Sequence, residues 1–315
     1  MIVRNFEYLL ALNRERHFGR AAASCSVSQP TLSAGIKQLE EDMDVLIVRR
    51  GQRFDGFTPE GARVLAWAQQ MNEDCQRLKQ ELSDLRDKGV QGPFRLGMLP
   101  ATSALAPILS VALAEQMPLL ELSILTSDTH RLLQDVRQNK LDIALVYIED
   151  LVEESLDIYA LYRERMFLFT TQKMAQKRAS WEDVVKLPLC LMRFATPPIA
   201  EAQLKTATRT IETDSLDVLA AHIATGHWST VLPQSLAVRL ERIHGLKAIP
   251  ITGAGSQANV GFVTAKRENL PSAVRGLLEM VHTPELVKPI RALLAVHRSF
   301  LQSLAKIDSD ESHAS

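Results

Sequence analysis

The chain has 315 residues, of which 46% are hydrophobic and 23% charged, and a formal net charge of −1. That length accommodates two or three domains, and the near-zero charge excludes a protein that holds nucleic acid by bulk charge alone. No apolar run reaches the roughly 18 residues of a membrane span, no secretory leader is evident, and Cys25, Cys75 and Cys190 stand too far apart for a disulfide framework or a zinc site, which predicts a reducing, cytoplasmic setting.

Residues 5–14 read as the first helix, with Phe6, Leu9 and Leu10 turned inward. Phe18, Ala21, Ala22 and Cys25 make a second, short helix whose small residues allow close approach. Ser28 then caps a third helix, Pro30 suits its first turn, and Leu32, Ile36, Leu39 and Met43 recur on one face. Two short helices joined by Ser26-Val27-Ser28 read as helix-turn-helix, in which the second helix enters the DNA major groove. Any pair of amphipathic helices with a polar turn shares that spacing, so the neighbouring residues matter. Arg49, Arg50 and Arg53 cluster just beyond, placed to meet phosphate, and Gly56 and Gly61 bracket Phe57-Thr58-Pro59 as a β-hairpin wing. The expected DNA-facing set is Ser28, Gln29, Pro30, Thr31, Ser33, Ala34, Lys37, Arg49, Arg50 and Arg53. Acidic residues balance the basic ones over this region, so binding rests on where the cations sit and on dimer avidity.

The order Phe18, Ala21-Ala22, Ser28-Gln29-Pro30, Ser33, Ile36, Leu39-Glu40, Arg50, Thr58 and Gly61 resembles the winged helix-turn-helix of LysR-type transcriptional regulators, and the likeness runs on to about Val281. The chain departs from the family's pattern at Asp44, where Gly is usual, at Val48, where Phe is usual, and at Cys25, where Leu is usual. Asp tolerates the left-handed backbone of a helix stop. Ala34 and Gly35 stand where longer polar side chains are common, which predicts fewer direct base contacts. The resemblance implies an α + α/β chain: an N-terminal winged helix-turn-helix, a long linker helix and a two-lobed, periplasmic-binding-protein-like α/β effector domain. It implies double-stranded DNA as partner, a homodimer through the linker helix, a homotetramer through the effector domains, and RNA polymerase as a further candidate partner.

A long helix follows Gly61 and runs to about Lys88. Val64, Ala68, Met71, Cys75, Leu78, Leu82 and Leu85 alternate spacings of four and three, a heptad seam. The seam either pairs with a second chain or packs on its own domain; the polar remainder of the helix favours pairing. Cys75 either cross-links two chains or packs as a small thiol. Gly89-Val90-Gln91-Gly92-Pro93 reads as a domain boundary and hinge.

Beyond it the pattern becomes α/β. Strands at 94–98, 121–127 and 142–147 alternate with two helices, which predicts right-handed parallel crossovers. Further strands are expected at 167–170, 189–192, 208–211, 247–251 and 260–264, with another ending in Val231-Leu232-Pro233. Helices are expected at 181–185, 200–207, 216–224 and 271–281. Thr102 and Ser103 follow the first strand at the start of a helix, where they either cap it or hydrogen-bond an anion. Thr126 ends the neighbouring strand, Arg193, Phe194 and Thr196 follow the strand ending at Met192, and His227 begins a turn after Gly226. Gathered in one cleft between the lobes, these residues predict a small anionic effector, such as a carboxylate. The alternative is a solvated Arg193 and hydroxyls that only cap helices. Trp228 stands where the family often has Gly, which predicts an altered pocket floor. Leu286, Ile290, Leu293, Leu294, Phe300, Leu301 and Leu304 suggest one more helix before a polar tail.

The expected domains are 1–61 for DNA binding, 62–88 for the linker helix, 89–282 for the effector domain and 283–315 for a C-terminal extension. The effector lobes are expected at about 93–160 plus 252–282, and at 161–251. The function read from these residues is a DNA-binding regulator gated by a small effector, with no metal and no other cofactor. An enzyme would have to use His222, His227, Cys190 or Asp217, yet no nucleophile motif, phosphate loop or metal spacing surrounds them, so no catalytic residue is assigned. A third reading gates the regulator by oxidation of Cys190, which lies in an apolar strand where a thiol is usually inert.

Overall fold

Apolar residues at helical spacing make α1 (Ile2–Glu15), whose Phe6, Leu9 and Leu12 are buried. The computed structural model describes residues 2–49, 54–83, 89–149, 151–174 and 177–295. The chain divides into two compact units, Met1–Asp87 and Lys88–Ser315.

In the first unit, α2 (Phe18–Ser24) and α3 (Gln29–Met43) pack on α1. The Ser28 hydroxyl accepts the Thr31 N–H at 3.3 Å and so caps α3, with Pro30 in the first turn. Leu32, Ile36 and Leu39 are buried, but Met43, expected on the same face, is 42% exposed. The helix ends there, at Asp44 in the left-handed conformation (φ 51°, ψ 38°), so no core remains beside its last turn. Gly35 faces inward, against expectation. A Cβ there would lie 2.6 Å from the Tyr8 ring of α1, so its small size serves helix packing.

α4 (Pro59–Ser83) returns along α1. Val64, Ala68 and Met71 pack into the same cluster as Phe6, Leu9, Leu39 and Ile47. The expected heptad seam is therefore divided. Its first half seals the core of its own unit, because three-and-four spacing suits a globular face as well as a coiled coil. Cys75 and Leu78 are exposed, and the side chain of Leu82 and all of Leu85 fall outside the described residues, as do Arg50 and Arg53.

In the second unit, β1 (Gln91–Met98) leads through a 3₁₀ turn, Pro100–Leu105, into α5 (Ala106–Gln116). β2 (Leu119–Thr126), α6 (Thr129–Arg137) and β3 (Ile143–Tyr147) follow. Then come β4 (Leu156–Thr170), β5 (Ala179–Ser180), α7 (Trp181–Val184), β6 (Leu189–Met192), α8 (Pro198–Leu204), β7 (Thr210–Thr213) and α9 (Leu216–Ala224). β8 (Thr230–Pro233) runs into a second 3₁₀ turn, Gln234–Leu240, before β9 (Lys247–Thr252), β10 (Gln257–Ala265), α10 (Ser272–Met280) and α11 (Pro284–Ala295).

The main sheet has the order β2-β1-β3-β10-β4-β9-β5, with β8 also paired to β4, while β6 and β7 form a separate parallel pair. β1 is parallel to both β2 and β3, as the crossover pattern requires. β4 was expected only over its last four residues, yet it is 15 residues long. Its first part pairs with β10 up to Arg165, and from Met166 it pairs with β8 and β9. The strand therefore passes from a first lobe (β1–β3, β10) to a second (β5–β9).

The expected hinge is shortened, since Gly92 and Pro93 belong to β1, paired with Leu120 and Glu121. In the C-terminal extension, α11 buries Leu286 and Ile290 and packs on α5 and the 234–240 turn; 296–315, with Phe300, Leu301 and Leu304, lie outside the described residues.

Where α4 begins, a Cβ on Gly61 would stand 2.1 Å from the Ile47 carbonyl oxygen, a clash with backbone that cannot swing aside. Gly61→Ala should destabilise the first unit by about 3 kcal/mol, read as an earlier loss of helical circular dichroism on heating. An unchanged melt would show that this joint gives way freely.

Candidate functional site

The outer face of α3 is the first candidate. Gln29, Pro30, Thr31, Ala34 and Lys37 are exposed and Ser33 is half-buried. Ser28 is exposed too, but its hydroxyl is engaged by Thr31, at 2.8 Å from the Thr31 hydroxyl. Lys37 Nζ lies 3.5 Å from Glu41 Oε1, a solvent-exposed pair of small net strength. After α3, Glu40 Oε1 accepts the N–H groups of Ile47 and Val48 at 2.7 and 3.0 Å. Val48 then bridges Phe57 in antiparallel fashion, and Arg49 Nε donates to the Phe57 carbonyl at 3.1 Å. This short bridge is the wing, and Arg49 is exposed on it. The Arg16 guanidinium lies over the edge-to-face pair Phe54–Phe57, backing the wing.

The second candidate lies in the effector unit, and the residues expected there divide into groups. Arg193, Phe194 and Thr196 follow β6 and line a cavity of about 460 Å³ with Glu201, Leu204 and Lys205 of the α8 region, and with Glu212 of β7. The cavity lies within the second lobe. Arg193 Nε pairs with Glu212 Oε2 at 3.5 Å, and Phe194 holds a left-handed backbone with φ 59°. Thr102, Ser103, Thr126 and His227 do not line this cavity.

Thr102 is buried and donates its hydroxyl to the Leu99 carbonyl at 3.0 Å. It sits in a 3₁₀ turn rather than at an α-helical N-terminus. Pro107 has no N–H to bond the Ser103 carbonyl, so α5 starts afresh at Ala106. Ser103 is half-buried, and Thr126 is exposed at the end of β2, opposite Met98 of β1. His227 is exposed, with Nδ1 3.0 Å from the Thr225 carbonyl oxygen. Trp228 does not line the cavity beside β6. Its ring stands between the Arg209 guanidinium, 5.2 Å away, and the His222 ring at 6.3 Å. His222 itself shares a 2.8 Å hydrogen bond with the Val218 carbonyl, and Asp217 is exposed.

Cys190 is buried in β6, and burial pushes its thiol up, towards the neutral form. The other two cysteines belong to the first unit.

Three residues that join the lobes escaped the sequence reading. The Tyr147 hydroxyl, at the end of β3, donates to the Ala195 carbonyl at 3.1 Å. Glu164 is buried on β4, where the Ser235 hydroxyl donates to its Oε2 at 2.7 Å. The signal was present in Tyr162, Glu164 and Met166, alternate residues that share one strand face, but this part of β4 was not read as strand.

Residues 3–62 match the model of bacterial regulatory helix-turn-helix proteins of the lysR family, and residues 87–283 match the LysR substrate binding domain. The chain is similar to the DNA-binding transcriptional dual regulator OxyR of Escherichia coli, at 30% identity over 293 residues, covering 89% of this chain and 95% of that one. It is also similar to a hydrogen peroxide-inducible genes activator of Dickeya chrysanthemi, at 33% identity, covering 77% and 82% of the two chains. Among solved structures, full-length OxyR of Pseudomonas aeruginosa, a variant with aspartate in place of a cysteine, superposes with a TM-score of 0.69 at 25% identity over 92% of this chain and 97% of that one. Full-length CbnR in complex with its target DNA shares the fold, with a TM-score of 0.63 at 18% identity over 89% and 99% of the chains.

The burial of Cys190 has a direct chemical consequence. Alkylation of the native chain at mildly alkaline pH should leave Cys190 unmodified, and the same reagent in denaturant should label it. Peptide mass spectrometry distinguishes the two, and rapid native labelling would contradict the packing of β6.

Proposed function

The chain belongs to the LysR family of DNA-binding transcriptional regulators, and from that premise we propose that it reads DNA with the outer face of α3 and is switched at β6 and the turn behind it. The exposed row from Gln29 to Lys37, capped by Ser28 at the helix N-terminus, supports the first part. Lys37 can leave Glu41 for a phosphate at little cost, since both are exposed. Arg49 would add a phosphate contact from the wing, and the sequence offers Arg50 and Arg53, outside the described residues, as further ones.

Two copies would pair through α1 and α4. A groove of about 190 Å³ between them is lined by Phe6, Leu10, Ala68 and Met71. Trp67 and Leu78 stand 70% and 57% exposed on α4, where a second copy would cover them. A homotetramer would add contacts through the effector unit, where Val111 on α5 and Leu119, Ile124 and Leu125 on edge strand β2 are exposed.

The input to the switch has two readings. The relatives are named for hydrogen peroxide, which favours an oxidant acting on Cys190, the single cysteine of residues 88–315. Its thiolate would attack one peroxide oxygen, giving a sulfenic acid and hydroxide. An outside thiol would then displace water and leave a mixed disulfide. Burial makes the thiolate scarce, so this route needs β6 to open first. The second reading is a small anion in the cavity beside β6, favoured by Arg193 and Lys205 in its lining. Glu201 and Glu212 are in the same lining, and Glu212 already pairs with Arg193, so the anion would have to displace that pair.

Operator binding by the full chain, with and without peroxide, separates the readings. A peroxide-dependent change in affinity that Cys190→Ser abolishes supports oxidation of Cys190; a peroxide response that survives Cys190→Ser, or no response of the wild type, rules it out, and loss of anion-dependent affinity changes in Arg193→Ala tests the cavity. On the DNA side, Lys37→Ala should weaken binding to all sequences and lower the salt slope by about one. An unchanged slope removes Lys37 from the interface. Leu78→Asp should give a chain that no longer dimerises through α4, with operator affinity falling as avidity is lost. Sedimentation showing the wild-type oligomer would overturn that assignment.

A further inference from the structure

Glu164 stands where β4 leaves β10 and joins β8 and β9, 1% exposed and with no ion pair among the described residues. Its two oxygens have different neighbours. Oε1 accepts the backbone N–H groups of Arg165 and Ser235, each at 3.3 Å. Oε2 accepts the hydroxyls of Ser235 at 2.7 Å and Tyr162 at 3.1 Å. A backbone N–H can only donate, whereas a hydroxyl can turn round and accept. A proton taken up by the carboxyl therefore settles on Oε2 and is accepted by Ser235 Oγ. The Ser235 proton then needs an acceptor of its own. The Ala101 carbonyl oxygen lies 3.5 Å from Ser235 Oγ. Ser235 belongs to the 3₁₀ turn after β8 in the second lobe, and Ala101 to the 3₁₀ turn after β1 in the first.

We propose that Glu164 is a proton-operated latch between the two lobes: protonation reverses its hydrogen bond with Ser235 and commits the Ser235 hydroxyl to the Ala101 carbonyl across the lobe boundary. The latch operates whichever input acts at β6.

The surroundings make Glu164 the titrating group. Tyr162 beside it on β4 and Tyr147 on β3 are both pushed up by burial and by the Glu164 charge, so they stay neutral. Glu149, beyond β3, adds to the shift of Tyr147. Arg165 on β4 and Arg239 on the second 3₁₀ turn are exposed, and no charge on β8, β10 or the first 3₁₀ turn contributes to Glu164. Burial pushes Glu164 up to about 7, against the four hydrogen bonds that favour its charged form. The folded value lies above the unfolded one of about 4.3. Its contribution to stability is therefore fully present below that unfolded value and is lost as pH rises through about 7.

The test uses the full chain. Difference infrared spectra of the wild type should show a protonated carboxyl appearing with a midpoint near pH 7 and absent from Glu164→Gln. Amide hydrogen exchange, corrected for its intrinsic pH dependence, should slow by about fivefold in 99–105 and 233–240 on acidification through that midpoint. Glu164→Gln, whose amide N–H mimics the protonated acid, should hold the slow pattern at every pH. Ser235→Ala should keep the carboxyl transition but lose the pH dependence of exchange in 99–105. That variant keeps the test decisive if the Gln variant does not fold. A wild type with no carboxyl transition between about pH 6 and pH 8, or a Ser235→Ala chain that retains the pH-dependent protection, would overturn the latch.

Discussion

β4 is hydrogen-bonded to β10 up to Arg165 and to β8 and β9 from Met166, so one strand belongs to two ladders. Each lobe must accept the twist and pleat that the other imposes on this strand. The adjustment appears in β4 itself: Val260 and Gly261 of β10 face Tyr162 and Ala160, so Leu161 is an extra, unpaired residue in the ladder. A Cβ on Gly261 would stand 2.6 Å from the Tyr159 carbonyl oxygen, so only glycine permits that approach. Period-two alternation then aims Tyr162, Glu164 and Met166 the same way at the changeover, and a carboxyl is drawn into the seam between the lobes.

That carboxyl differs from Asp142 in how it is held. Asp142, at the start of β3, is held by Arg95 at 3.1 Å and by the Arg95 N–H at 2.8 Å, tying β1 to β3 with a charged pair. Glu164 is held by hydroxyls and N–H groups alone. A carboxylate paired with a guanidinium fixes geometry. One held by hydroxyls can exchange charge for a different set of hydrogen bonds.

What could be read directly from residues was local. The Ser28 cap, Pro30 and the apolar spacing of α3 depend on neighbours within one or two turns, and α9 was legible to the residue for the same reason. The first eleven residues of β4 escaped because Asp157, Arg163, Glu164 and Arg165 interrupt the apolar signal of a strand whose pairing partner, β10, lies about a hundred residues on. The division of α4 between its own core and its exposed face escaped because one heptad serves both. Thr102 misled because a proline-bounded 3₁₀ turn and an α-helical N-terminus offer the same residue types. The grouping of Arg193, Phe194 and Thr196 was foreseen, but the cavity they share depends on where α8 lies against β6 and β7, which no short stretch encodes.

The tight joint at Gly61 has a mechanical consequence. Ile47 lies just after α3, Gly61 lies in the first turn of α4, and their backbones are in contact. The Thr58 N–H, just before α4, also donates to the Ile47 carbonyl at 3.0 Å, so the segment after α3 is tied directly to the start of α4. α4 is therefore a lever fixed to the recognition element. Its 25 residues give an arm of roughly 37 Å, and a tilt of about 10° moves the free end by roughly 6 Å. Run in reverse, with the free end held, the same tilt swings the recognition helix by a sizeable part of the major-groove width of about 12 Å. Small angular errors at one end of this arm become lost base contacts at the other, so the stiffness of the Gly61 joint sets how finely the chain can aim.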